Sequence, residues 1–154
     1  MTRSLDICDK WIETIFESDE IREITPNIYA EDVAGNQLVA CDLSQAMHEG
    51  TINFCQFSVQ RIKREDQVGE CGTYFYRVDI RYFLERLAGM RTEQKVQEFF
   101  EVLDELIQSE LGSDWGGLVD SYTRSEEFPE VFQFGLINER PVVAGRYTYF
   151  AEKN

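Results

Sequence analysis

At 154 residues the chain can bury a core without covalent staples, and a content of 43% hydrophobic and 13% aromatic residues separates it from disordered sequences. A formal net charge of −14 disfavours both a phosphate-gripping surface of clustered cations and attachment to an anionic membrane. An acidic wall that DNA slides past without sticking remains compatible with that charge.

One domain covering residues 1–154 is expected. Leu5, Cys8, Ile12, Ile15 and Phe16 recur at spacings of three and four and predict a helix over Ser4–Phe16, with Trp11 bordering the stripe. Ser4 suits its N-cap, and Asp6 suits the positive end of its dipole. Glu17-Ser18-Asp19-Glu20 reads as the start of a loop. Pro26 biases Thr25 towards an extended backbone. A short strand at Asn27-Ile28-Tyr29, a turn at Gly35-Asn36 and an edge strand at Gln37-Leu38-Val39-Ala40-Cys41 follow.

The dominant feature is a long hairpin from Thr51 to Glu85. Phe57, Val59 and Arg61 alternate with Gln56, Ser58 and Gln60 in the first arm, Ile52 to Lys63. In the second arm Tyr74, Tyr76, Val78, Ile80, Tyr82 and Leu84 share one face at period two. A dozen residues at about 3.3 Å each reach roughly 40 Å. A domain of this length has a radius of gyration of about 15 Å, so the arms span it and the tip is expected to project. The connection Arg64–Gly72 is charged and carries two glycines. Val96, Phe99, Phe100, Leu103, Leu106, Ile107 and Leu111 then form the apolar stripe of a helix over Thr92–Leu111, with Thr92 as N-cap and Gly112 just past its end. Trp115-Gly116-Gly117 is a turn. Strands are expected near Leu118–Tyr122, at Val131–Phe134 and over Pro141–Phe150, with Pro129 interrupting between the first two and glycines supplying bends. The fold class is α+β: an antiparallel or mixed sheet with a long β-hairpin, packed against a central amphipathic helix and an N-terminal helix.

Catalytic machinery is not apparent. The single histidine, His48, lies in a loop context without a nucleophile elbow. Cys8, Cys41, Cys55 and Cys71 show no C-x-x-C spacing, so neither a zinc site nor any other cofactor is expected. Cys71, beside Glu70, reads as an exposed thiol of low reactivity. The N-terminus lacks the apolar core of a secretory signal, which suggests cytoplasmic synthesis with reduced thiols. Glu93, Glu98, Glu101, Asp104, Glu105 and Glu110 read as the solvated face of the central helix. Arg61, Lys63 and Arg64 form the one dense positive patch, beside Glu65 and Asp66. Mixed charge on a projecting tip suits a protein partner.

In its order of elements the chain resembles the tail terminator, or tail-completion, proteins of long-tailed bacteriophages. Ser4–Phe16, Thr51–Glu85, Thr92–Leu111 and the closing run Val143-Ala144-Gly145-Arg146-Tyr147-Thr148-Tyr149-Phe150 carry that resemblance. It implies a non-enzymatic structural protein of the virion, assembled in the host cytoplasm. Such a protein forms a homo-oligomeric ring, a hexamer, that caps the head-proximal end of the tail tube. The ring joins the major tail tube protein to the head–tail connector, and genomic DNA only passes through its lumen. The resemblance places assembly contacts at Arg61, Lys63, Arg64, Glu65, Asp66, Glu70, Tyr147 and Tyr149. Two alternatives stand beside it. One is a neck or head-completion protein on the connector side. The other is a small-molecule-binding regulatory domain with Tyr74, Tyr76 and Tyr82 lining a cavity, although core packing suits those tyrosines better.

Overall fold

Two runs of alternating apolar and polar residues, each thirteen long, lie side by side as the spine of the molecule: β3 (Asn53–Glu65) and β4 (Thr73–Glu85). In the computed structural model the described residues are 2–25, 28–31, 37–39, 51–65 and 72–154, with side chains described for 2–25, 51–62 and 72–154. Before the spine come α1 (Ser4–Phe16), α2 (Asp19–Ile24), β1 (Ile28–Glu31) and β2 (Gln37–Val39). After it come α3 (Thr92–Leu106), a π-helical turn (Ile107–Leu111), β5 (Ser121–Arg124), β6 (Glu130–Ile137) and β7 (Arg140–Lys153). The hairpin tip at 66–71, the turn at Gly35-Asn36, and His48, Cys41 and Cys71 lie outside the described residues.

The protein is α+β. Five antiparallel strands, β3 to β7, pack against a central helix of 20 residues and the N-terminal helix. β1 adds to β3 in parallel, with Ala30 opposite Phe57, and β2 pairs antiparallel to β1, so the whole sheet is mixed. β7 is central. Its inner side meets β4 over Val142–Lys153, and its outer side meets β6 over the first half and β5 over the second. β5 and β6 are therefore one edge strand broken at residues 125–129, where Pro129 removes a donor. The β6–β7 hairpin turns on Asn138 (φ 50°) and Glu139 (φ 65°), the two left-handed positions of a type I′ turn.

One face of the sheet carries the main core. Cys55, Phe57 and Val59 of β3, Tyr76, Val78, Ile80 and Tyr82 of β4, and Val143 and Tyr149 of β7 pack with Trp11, Phe99, Phe100 and Leu103 of the helices. Trp11 and Trp115 meet edge to face at 5.1 Å, which locks the turn after the central helix onto α1. Gly145 is buried where α3 crosses the sheet: a Cβ there would lie 2.5 Å from Val96 Cγ1 and closer still to the Phe100 ring. That glycine, read from sequence as a bend, is a point of close helix–strand approach. Ile52, Phe54, Phe83, Val142 and Ala144 form a smaller cluster on the other face, where the Phe54 and Phe83 rings stack at 4.7 Å.

Several local expectations are corrected. The buried stripe of α1 is Ile7, Cys8, Trp11 and Ile15, whereas Leu5 and Phe16 are exposed. Its N-cap is Arg3, whose backbone N–H donates to the Asp6 carboxylate at 2.8 Å. The segment read as a loop after α1 begins a second helix, and the Ser18 hydroxyl accepts from Ile21 N–H at 3.3 Å to cap it. Arg91, and not Thr92, is the N-cap of α3. Gly112, with φ +70°, ends the central helix by donating to the Ile107 carbonyl at 3.1 Å, five residues back.

Candidate assembly surfaces

The hairpin is tied to the N-terminal segment near its tip. Arg61 donates to the Thr2 carbonyl at 3.1 Å, and its guanidinium lies 4.4 Å from the centre of the Tyr74 ring. The Tyr76 hydroxyl donates to the same carbonyl at 2.5 Å. Arg61 is thus a fastener of the N-terminal segment through charge-assisted hydrogen bonding and cation–π contact. Lys63, Arg64 and Glu65 continue β3 opposite Phe75, Tyr74 and Thr73, beyond a bulge at Ile62. Their side chains, together with Asp66 and Glu70, lie outside the described residues.

Tyr147 and Tyr149 are core residues, and only Tyr147 reaches the surface, as lining of a concavity. Period two on β7 aims both at the helices, and both are buried. The Tyr147 hydroxyl donates to the Glu126 carbonyl at 2.6 Å, pinning the break between β5 and β6. The Tyr149 hydroxyl donates to Asp104 Oδ1 at 2.9 Å, and burial pushes its pKa far above the usual phenol range. Asp104 also accepts from Arg124 Nε at 2.8 Å, from Arg124 Nη2 at 2.7 Å and from Gln108 at 3.1 Å. One carboxylate therefore clamps α3 to β5 and β7. Glu93 likewise pairs with Arg86 and accepts from Gln133 at 3.1 Å. Of the six carboxylates read as a solvated face, Asp104 and Glu93 are structural. Tyr76 and Tyr82 are also core residues, and the Tyr82 hydroxyl donates to Asn53 Oδ1 at 2.8 Å.

The sheet face turned away from the helices holds what sequence reading missed. Arg81 and Arg146 are cross-strand partners, and Arg77 stands four residues from Arg81 on the same face. Between them Asp79, only 8% exposed, accepts from the Thr148 hydroxyl at 2.5 Å and from Arg146 at 3.4 Å, with Arg77 at 3.6 Å. Among the described residues Arg81 has no ion-pair partner, and it is exposed. This is a second positive patch, at variance with the reading that Arg61, Lys63 and Arg64 were the only one. Its members are separated by as many as 69 positions along the chain, and only strand register brings them together. Phe132, Phe134 and Phe150 are exposed beside it, and Phe134 meets Phe83 edge-on at 5.0 Å.

Two concavities flank the break between β5 and β6. One of about 360 Å³ is lined by Phe100, Glu101, Asp104, Arg124, Phe128 and Tyr147, among others. The other, about 210 Å³, is lined by Arg77, Phe128, Glu130, Arg146, Thr148 and Phe150, among others. Phe128, 70% exposed, borders both. Aromatic rings, guanidiniums and carboxylates line both concavities. Among the described residues no helix is long and apolar enough to cross a membrane, and no group of three or more His, Cys, Asp or Glu is placed to hold a metal ion. No protein-family model matches the chain, and comparison with curated proteins finds no match.

Proposed function

We propose that this protein is a structural virion component. It caps the head-proximal end of a phage tail tube as a homo-oligomeric ring, hexameric by the family resemblance, and joins the tube to the connector. The observation that carries the reading is the plan of the fold. An N-terminal helix leads into a hairpin with thirteen-residue arms, a 20-residue helix lies across the sheet, and the chain closes on a long central strand. Function is thereby assigned to surfaces, in keeping with an acidic chain that repels DNA passing through a lumen.

Capping needs no covalent chemistry. A growing tube offers complementary edges on each new ring, and a terminator binds that end without renewing it. The test is co-assembly with the major tail tube protein, with tube lengths measured by electron microscopy. Tubes of uniform length bearing this protein at one end are the expected result. Tubes that lengthen without limit in its presence refute the reading. Binding to the isolated connector and not to the tube would move the protein to the neck, on the connector side.

A further inference from the structure

We propose that the sheet face carrying Arg77, Arg81 and Arg146 is the seat for the acidic helix layer of a second copy of this chain. This deepens the proposed ring by naming the two faces that meet. The argument is charge complementarity between opposite sides of one molecule. On the helix side, Asp9, Glu13, Glu98, Glu101, Glu105 and Glu110 are exposed, and the cations Lys10 and Lys95 do not balance them. On the other side, three arginines outnumber the buried Asp79 and the exposed Glu130, which stands cross-strand from Arg146, and Arg81 is left unpaired among the described residues.

Two like helix layers repel each other, so pairing of identical faces is disfavoured in a chain of net charge −14. Helix layer against arginine face is attractive. A contact between two different faces is heterologous, and it closes into a ring when the rotation between neighbours permits. Phe128 and Phe150, which flank Arg77 and Arg146 at the smaller concavity, supply the aromatic anchors that such a seat requires. Acidic side chains of the neighbour would pair with the guanidiniums while these rings lose water.

The experiment is a charge swap read by sedimentation velocity on the full chain. The parent protein is expected to form species larger than a monomer at low salt. It is expected to dissociate near 1 M salt, where screening acts within about 3 Å. Arg81→Glu with Arg146→Glu makes both faces acidic, and Glu98→Arg, Glu101→Arg, Glu105→Arg and Glu110→Arg together make both basic. Each variant alone is expected to weaken association at least tenfold, and an equimolar mixture to restore it, because every acidic face then meets a basic one. Arg146 also binds Asp79, so Arg81→Glu with Phe132→Ser serves as a second variant that leaves the Asp79 bonds in place. A parent that stays monomeric at all salt concentrations overturns the proposal. So do single variants that assemble like the parent, or a mixture that remains dissociated. Tube-length control by a parent whose assembly ignores these charges would overturn this interface while leaving the capping role intact.

Discussion

Replacing Gly145 by alanine tests how closely the central helix approaches the sheet. The added Cβ would stand 2.5 Å from Val96 Cγ1 and nearer still to Phe100, both buried. Ordinary carbon contacts lie at about 3.5–4.0 Å, so the overlap is roughly 1 Å and neither neighbour has free space to retreat into. Overpacking of this kind costs about 1–3 kcal/mol, and restricting the unfolded chain returns about 0.4–1 kcal/mol. The net expectation is a loss of about 1–2 kcal/mol. For a chain of this size that lowers the melting temperature by roughly 2–8 °C, at about 2–4 °C per kcal/mol. Urea unfolding should show a lower midpoint at unchanged slope. Combining Gly145→Ala with Phe100→Leu removes the nearer clash, so the double variant should lose less than the sum of the singles, by at least about 0.5 kcal/mol. A Gly145→Ala protein as stable as its parent, or strictly additive losses, would refute the close-approach reasoning.

Three further outcomes follow from named contacts. Tyr149→Phe should lower stability by about 1 kcal/mol in urea. Asp104→Ala should lower it by more, because it strands Arg124, Tyr149 and Gln108 together. Equal losses from the two would show that Asp104 holds nothing beyond the tyrosine. Hydrogen bonds from Arg86 hold the Glu93 carboxyl below its ordinary value of 4.5. That contribution is complete above pH 4.5 and fades as the pH falls through the lower folded value. Glu93→Gln should therefore flatten the acid limb of a stability–pH curve, and an unchanged limb would contradict the pairing. Glu139→Gly should stabilise the β6–β7 turn by about 1 kcal/mol, since a left-handed backbone costs about 1–2 kcal/mol for a residue with a Cβ. A lower melting temperature for that variant would count against the turn geometry.

The elements with a strong local period were legible from residues alone. Alternation in β3 and β4 and the three-and-four spacing of Val96, Phe99, Phe100 and Leu103 report burial on one side, and burial is what forms them. The span of α1 was readable for the same reason. Its buried face came out rotated because Leu5 and Phe16 look like core residues, yet they face outward once Trp11 docks on Trp115. The helix Asp19–Ile24 escaped notice because six residues carry too little periodicity, and a serine cap resembles a turn.

Composition and periodicity by themselves determined that this is a single acidic α+β chain with a long hairpin and one dominant amphipathic helix. The sites depended on tertiary structure. Tyr147 and Tyr149 became core residues because the parity of β7 turns them inward, and Asp104 became a clamp because Arg124 and Tyr149 converge on it from two strands. Arg77, Arg81 and Arg146 form a patch only because β4 and β7 pair in one register, and a shift of a single residue would send Arg146 to the helix side. Local periodicity encodes which side of an element is buried, whereas register alone decides which distant charges share a surface.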